Sequence, residues 1–201
     1  MVNKITATEA RIKTAFLELL KTKTFEKISV SDISKAAGIN RGTFYLHYVD
    51  KYALREHYED ELIDQVKRFY QEDFQETMVY QSVKANGVFT YPVVKDIVDL
   101  VAAEFELFKA LLGPTGDPHF ELQLKQMLRA AIAVRIDHIK GQLTMAKYIP
   151  EDYAWELIIS GLFSIIKVWM QTSQADKAPE VCAIIMKTRF LSPYDLLGIS
   201  D

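Results

Sequence analysis

The sequence has little of what disulfide-linked, secreted or membrane proteins require. Its one cysteine, Cys182, cannot form a disulfide within the chain and cannot assemble a metal site by itself. No basic segment followed by a short apolar run opens the chain, so we expect no secretion signal and a cytoplasmic location. The most apolar stretch, 155–170, is interrupted by Glu156 and Lys167 and falls short of the ~20 apolar residues that cross a bilayer. We expect a buried helix there and no membrane partner.

Residue patterns typical of enzymes are missing as well. The chain has no Ser/His/Asp set, no His and Cys group at metal-ligand spacing and no glycine-rich phosphate loop. The sequence therefore predicts no catalytic residues, no metal and no cofactor, and it favours a binding protein over an enzyme.

Charge is distributed unevenly along the chain, although the net charge is only −3. Residues 1–58 carry ten Lys and Arg against six Asp and Glu, a local charge of +4, which leaves −7 for the remainder. A basic end on an acidic body is typical of a protein that presents one end to phosphate groups. The asymmetry gives modest support to nucleic-acid binding.

Helical periodicity dominates the sequence and predicts an all-α protein. A Thr6/Glu9 capping box and an apolar stripe indicate a first helix from Ala7. Later helices are expected over 92–112, over about 118–140, from Pro150 and from Pro179. Asn86-Gly87 is a turn signal in 77–91, so we expect a head over 1–56, a linking helix to about 76, and a body over 77–201.

The segment 29–48 has the pattern of a helix-turn-helix. Ser29 and Asp32 form a capping signature for its first helix, and Gly38 supplies the left-handed residue that ends that helix. Asn40 is a favourable N-cap for its second helix, which we expect to reach about residue 48. Two short helices joined by a tight glycine turn predict binding to DNA.

The residues SVSDISKAAGINRGTFYLHYVDKYAL, 29–54, resemble the DNA-binding signature of the tetracycline-repressor (TetR) family. The segments LFKALLGPTGDPHF (107–120) and ELIISGLFSIIKVWMQ (156–171) are similar, more loosely, to the C-terminal domain of activators of dihydroxyacetone utilisation. The resemblance implies a three-helix DNA-binding head followed by an antiparallel helical body that binds a ligand and dimerises.

The head supplies the expected DNA contacts. A recognition helix turns its first residues toward base edges in the major groove, and Arg41 there can contact guanine or grip a phosphate. The resemblance adds Tyr45 and His47, and it makes Lys51 a phosphate contact at a helix N-terminus. Tyr48 is ambiguous, with its ring in the core and its hydroxyl reaching outward. The full expected set is Ser31, Asn40, Arg41, Gly42, Thr43, Tyr45, His47, Tyr48 and Lys51.

The body supplies candidates for an effector pocket and a dimer interface. Pockets between helices are mainly apolar with few polar groups; the expected lining is Phe105, Phe108, Met127, Arg135, His138, Tyr153 and Trp155. A helix apolar nearly all round, with small residues that allow close approach, indicates pairing with a second copy. On this helix the expected interface is Leu157, Ser160, Gly161, Ser164, Ile165 and Val168. The resemblance implies that the last two helices of each subunit form the dimer interface, which adds Cys182 and Ile185.

Two functions fit these patterns. The first is a ligand-responsive repressor that binds a palindromic operator as a homodimer. Effector binding tilts its two heads so that their recognition helices no longer match the half-site spacing. The alternative is a coactivator whose C-terminal domain binds a partner enzyme subunit instead of a metabolite. The sequence identifies neither the effector nor the operator.

Overall fold

The computed structural model describes residues 7–71, 92–114, 116–140, 149–172 and 177–188. Over these residues the secondary structure is helical, which confirms the predicted all-α class. The helices are α1 (Ala7–Leu20), α2 (Val30–Ala36), α3 (Arg41–Tyr45), α4 (Lys51–Gln71), α5 (Pro92–Ala103), α6 (Phe105–Leu112), α7 (Pro118–Lys140), α8 (Glu151–Thr172) and α9 (Ala178–Thr188), with a 3₁₀ turn at Phe25–Lys27. The predicted cap Thr6 and the predicted turn region 77–91 lie outside the described residues.

The helix-turn-helix forms where the capping residues place it, but its second helix is shorter than expected. α3 ends at Tyr45 rather than near Tyr48, because the chain tightens into a turn in which the His47 and Tyr48 amides both donate to Phe44 O. Asn40 occupies the N-cap position with an extended backbone, yet its side chain makes no capping hydrogen bond. The helix start therefore depends on backbone conformation alone.

The single helix expected over 92–112 is instead two helices with a break at Glu104. The apolar residues Ile97, Val101, Phe105 and Phe108 continue one helical stripe through the break, so periodicity could not reveal it. The break coincides with a division of the chain into two compact units, the first formed by 1–64 and 106–120, the second by 65–105 and 121–201. Residues 106–120 thus group with 1–64 in the first unit, and the domain boundary expected at residue 56 stays a prediction.

The first unit has a core of large apolar side chains. Phe16 of α1 meets Phe25 edge-on at 6.2 Å and stacks on Tyr58 of α4 at 6.1 Å between ring centroids. α2 packs between α1 and α3. Other fully buried members are Ile12, Ile28, Ile33, Phe44 and Leu54. This core makes the head a rigid support for α3.

The second unit is organised around α9, which packs against both α5 and α8. Trp169 of α8 is buried and meets Phe105 edge-on at 5.3 Å. α8 is long and apolar enough, by length and composition, to cross a membrane. Its Lys167 nevertheless donates a 2.7 Å hydrogen bond to Glu121 of α7, and it contributes Trp155 and Ile159 to the core. These contacts are those of a helix within a folded domain.

Candidate nucleic-acid interface

An arginine of α1 hydrogen-bonds to the turn between α2 and α3. Gly38 has φ +61°, in the left-handed region, and Arg11 Nη2 donates a 2.7 Å hydrogen bond to its carbonyl oxygen. A Cβ at residue 38 would lie 2.8 Å from the same guanidinium nitrogen. The positive φ therefore favours glycine at residue 38, and a Cβ there would also displace the Arg11 guanidinium.

The predicted capping box of α2 is confirmed. The Asp32 amide donates to Ser29 Oγ at 3.1 Å, and the Ser29 amide donates to Asp32 Oδ2 at 2.9 Å. The Ser29 hydroxyl, then its amide, then the Lys23 ammonium hydrogen-bond to the carboxylate and lower the pKa of Asp32 to about 2. Ser31 lies exposed in the first turn that this box stabilises.

The outward face of α3 carries most of the predicted contacts. Arg41, Gly42 and Tyr45 are exposed, Asn40 precedes them and is exposed, and Thr43 is half-buried. Arg41 Nη2 lies 3.4 Å from the Tyr45 hydroxyl, one helical turn further on. Gly42 leaves open space, because a Cβ there would meet no atom within 4 Å. The face thus offers guanidinium and hydroxyl groups around a position where a backbone can approach closely.

His47 and Tyr48 lie after α3 and differ in exposure. His47 Nδ1 is 3.5 Å from the Glu9 carboxylate of α1, and its side chain is part-exposed. Tyr48 is buried between Phe44 and His57, with ring centroids 5.7 and 5.4 Å away. Its hydroxyl is buried too, and this burial raises the pKa of Tyr48. The expectation that this hydroxyl reaches outward is therefore corrected: Tyr48 belongs to the core.

Lys51 has acceptors within the head itself. Its Nζ donates to the carbonyl oxygens of Phe25, Glu26 and Ile28 at 2.9, 2.9 and 2.8 Å. It also lies 4.8 Å from the Phe25 ring centroid. An ammonium has three N–H donors, so none remains for a phosphate while these bonds persist. This geometry argues against the phosphate contact expected of Lys51.

A second cation, Arg55 of α4, joins three parts of the first unit. Its Nη2 lies 2.7 Å from Asp117 Oδ2, its Nε lies 3.4 Å from Glu59 Oε1, and its guanidinium lies 4.5 Å from the Phe25 ring centroid. Burial raises the pKa of Glu59 to about 7; Arg55 opposes this shift and Asp117 adds to it. No local sequence pattern indicates this cluster, because its members, from Phe25 to Asp117, are up to 92 residues apart in sequence.

The predicted pocket residues of the body do not share one environment. Trp155 is buried and its Nε1 donates to Glu151 at 3.1 Å, whereas Tyr153 is 69% exposed. Phe108 is buried within the first unit, and Phe105 belongs to the second. Met127 is half-buried, and the side chains of Arg135 and His138 lie outside the described residues. The exposure of Tyr153 argues against a place in an enclosed pocket, and the pocket lining stays a prediction.

α8 has one buried side and one open side. Leu157 and Val168 are 69% and 60% exposed, and Gly161 between them is exposed with open space beyond its Cα. Ser164 is exposed on the same side, and Ser160 and Ile165 are half-buried at its edges. Cys182 and Ile185 of α9, in contrast, are buried within their own chain. They are corrected from interface to core residues, while Ile184 is the exposed apolar residue of α9.

Comparison with known proteins decides the family. Residues 12–58 match the family described as "Bacterial regulatory proteins, tetR family", and residues 90–188 match the one described as "Transcriptional regulator C-terminal region". The chain belongs to the TetR family. The first of these matches covers the capping box, the Gly38 turn and α3, which are the elements that build the candidate interface in this TetR-family member.

Two relatives match this TetR-family chain over about a quarter of its length. The HTH-type transcriptional regulator EthR of Mycolicibacterium smegmatis is 48% identical over 46 residues, and the HTH-type transcriptional regulator YxbF of Bacillus subtilis is 40% identical over 48. These matches span 23% and 24% of this chain and 21% and 13% of those proteins.

Solved structures match over nearly the whole chain at low identity. The fatty acid degradation regulator FadR of Bacillus halodurans has a TM-score of 0.59 at 15% identity, covering 92% of this chain and 97% of that one. FadR of Bacillus subtilis in complex with stearoyl-CoA gives 0.57 at 17%, covering 88% and 97%. The dihydroxyacetone kinase operon activator DhaS gives 0.52 at 14%, covering 90% and 96%. At these identities the likeness concerns the fold.

Proposed function

We propose that this protein is a homodimeric, ligand-responsive transcriptional repressor that binds a palindromic operator through α3. The observation that carries the proposal is the outward face of α3, where Arg41, Gly42 and Tyr45 are exposed on a helix whose other side is anchored by fully buried Phe44. Such a face fits the major groove, which admits one helix and is read by side chains at base edges.

The base contact is assigned to Arg41 and the supporting contacts to its neighbours. Arg41 has five donors in a fork that matches the two acceptors of guanine. Thr43, Tyr45, His47 and Ser31 offer hydroxyl or imidazole groups that suit phosphates, which position the protein without reading sequence. Lys51 is assigned a supporting role, since its ammonium is occupied by the carbonyls of Phe25, Glu26 and Ile28.

Dimerisation is assigned to the open side of α8, with Gly161 at its centre. One head offers too small a contact for operator affinity, and a palindromic site requires two-fold symmetry. The exposed Leu157 and Val168 flank the open Cα of Gly161, and exposed apolar side chains of this kind mark partner surfaces. Ile184 of α9 extends the expected interface in place of the buried Cys182 and Ile185.

The body is proposed to bind a small apolar or amphipathic effector, and this binding is proposed to release the operator. The FadR of Bacillus subtilis, which shares the fold, is described in complex with stearoyl-CoA, so long-chain acyl-CoA is the first effector class to test. The coactivator alternative is not favoured, because the likeness to DhaS extends to the fold at 14% identity and no further. Operator binding places the protein where bacterial DNA lies, in the cytoplasm.

The DNA-binding part is tested by selection from random duplex DNA. Purified full-length protein is mixed with a randomised duplex pool, and retained sequences are amplified over several rounds. We expect an inverted repeat whose half-site centres lie about one helical turn or a multiple of it apart, bound by a dimer in sedimentation. Retention of no preferred sequence contradicts the proposal.

The ligand-responsive part is tested on the selected duplex. Stearoyl-CoA, free coenzyme A and dihydroxyacetone are each added to the preformed complex, and release is followed by gel shift with thermal shift in parallel. We expect one of these classes to stabilise the protein and release the duplex together. A compound that raises the melting temperature without releasing DNA contradicts the coupling.

A further inference from the structure

Two aliphatic side chains that follow α3 along the chain are largely exposed. Leu46 is 85% exposed and Val49 is 78% exposed, which are the two highest values for large apolar residues in the part of the chain that the structure describes. Neither was among the expected DNA contacts. An exposed leucine carries a hydration cost that contact with an apolar partner relieves.

Leu46 lies on the same face as Gly42. Its amide donates a 3.2 Å hydrogen bond to the Gly42 carbonyl, and its backbone is helical with φ −72° and ψ −22°. Residues four apart on a helix share one side. Because Gly42 is exposed with open space beyond its Cα, the groove that receives Gly42 also receives Leu46 one turn later.

The surroundings of Leu46 point to DNA rather than to another apolar surface. Arg41 and Tyr45 on the same short helix are exposed and polar at their tips, a composition that complements a polyanion. The major groove contains one apolar group that a leucine can meet, the C5-methyl of thymine. Contacts with sugars and phosphates are made by hydrogen-bond donors and cations, and a leucine side chain is neither.

We propose that Leu46 is a specificity-determining residue that contacts the C5-methyl group of one thymine in each operator half-site. This inference rests on the proposed function, since it assigns one base to a helix proposed to enter the groove. It assigns sequence preference to a residue that carries no hydrogen-bonding group.

The test replaces single thymines by deoxyuridine, which removes the methyl group and leaves the hydrogen-bonding edge unchanged. Duplexes selected by the wild-type protein are resynthesised with one uracil per half-site at each thymine in turn, and Kd is measured by gel shift. At the one thymine position that Leu46 contacts, loss of the buried methyl group is expected to weaken Kd by about fourfold for each substituted half-site. Leu46→Ala is expected to weaken binding to the thymine duplex and to bind both duplexes equally.

Leu122→Ala is the matched control, because Leu122 is also an exposed leucine, at 49%, but lies on α7. It is expected to keep the wild-type ratio between thymine and uracil duplexes. The proposal is overturned if wild type binds both duplexes equally at every position, if Leu46→Ala keeps the wild-type ratio, or if the selected half-sites lack thymine. It is also overturned if Leu46→Ala changes the sedimenting mass, which would make the patch a contact with a second copy. Failure to select any sequence overturns the proposed function instead.

Discussion

The ammonium nitrogen of Lys51 lies 2.8 Å from the carbonyl oxygen of Ile28. Ile28 follows the 3₁₀ turn between α1 and α2, and Lys51 is the first residue of α4. One side chain therefore ties the start of the long helix to the segment that leads into the helix-turn-helix. The other two N–H groups of the ammonium donate to Phe25 O and Glu26 O. One side chain therefore satisfies three backbone carbonyl oxygens.

Lys51→Met is expected to reduce the free energy of unfolding by about 1–3 kcal/mol, because it leaves carbonyls without their charged donor. Operator binding weakens as α3 loses its support, while the slope of log K against log salt stays at the wild-type value. Urea denaturation and gel shifts over a salt series measure both. Lys35→Met, at an exposed lysine of α2, controls for the lost charge. If the slope of log K against log salt instead fell by about one per head while stability stayed unchanged, Lys51 would be a phosphate contact after all.

Arg41→Ala is expected to cost about 1–3 kcal/mol in operator affinity and to relax the preference at one base pair per half-site, because it removes a bidentate contact with guanine. Selection from the random duplex pool, repeated with the variant, measures the preference. Lys27→Ala, at another exposed cation of the head, is expected to leave the preferred sequence unchanged. An Arg41→Ala protein that is weaker on all sequences alike would assign this arginine to a phosphate.

Glu59→Gln is expected to stabilise the protein at high pH only. Burial raises the pKa of Glu59 to about 7, so the folded protein holds a proton that the unfolded chain releases near its ordinary value of 4.5. Wild-type stability therefore falls as pH rises from about 4.5 through 7. The variant is expected to be more stable by about 1–2 kcal/mol at pH 8 and nearly equal to wild type at pH 4.5.

Urea denaturation of both proteins across this pH range measures the difference. Glu56→Gln makes the same charge change at an exposed position of α4 and is the control for net charge. Equal gains from Glu59→Gln at pH 4.5 and pH 8 would show that the effect is packing rather than ionisation.

Gly161→Arg is expected to give a folded monomer that no longer binds operator, although its DNA-contacting residues are unchanged. The new charge would stand in the middle of the proposed interface without a partner. Within one protomer the position is open, since a Cβ there meets no atom within 4 Å, so folding is preserved. Sedimentation gives the mass, circular dichroism the helicity, and a gel shift the binding.

Gly161→Ala tests the same position without a charge and is expected to stay dimeric and to gain helix stability of up to ~1 kcal/mol. If the arginine variant sediments as a dimer and shifts operator normally, α8 is not the interface.

Local sequence signals were sufficient for the helix caps and the tight turn of the head. The Ser29/Asp32 capping box, the positive φ of Gly38 and the Asp50 cap, which accepts from the amides of Tyr52 and Ala53 at 2.8 Å, all connect residues within a few positions of one another. Such interactions are encoded by neighbouring residues, so pattern alone predicts them. The +4 charge of residues 1–58 is likewise a property of composition.

Tertiary structure decided what depends on distant partners. The break at Glu104 was hidden because apolar periodicity continues through it, and only packing in two different units separates α5 from α6. Packing also decided which side of α8 is buried, because the sequence of a helix that is apolar all round does not indicate which side faces the core. Packing likewise placed Cys182 in the core. Lys51 reads as a phosphate ligand beside a helix N-terminus, yet the chain segment 23 to 26 residues earlier supplies its acceptors. A donor's partner is set by which carbonyls the fold brings within reach, and no local pattern specifies that.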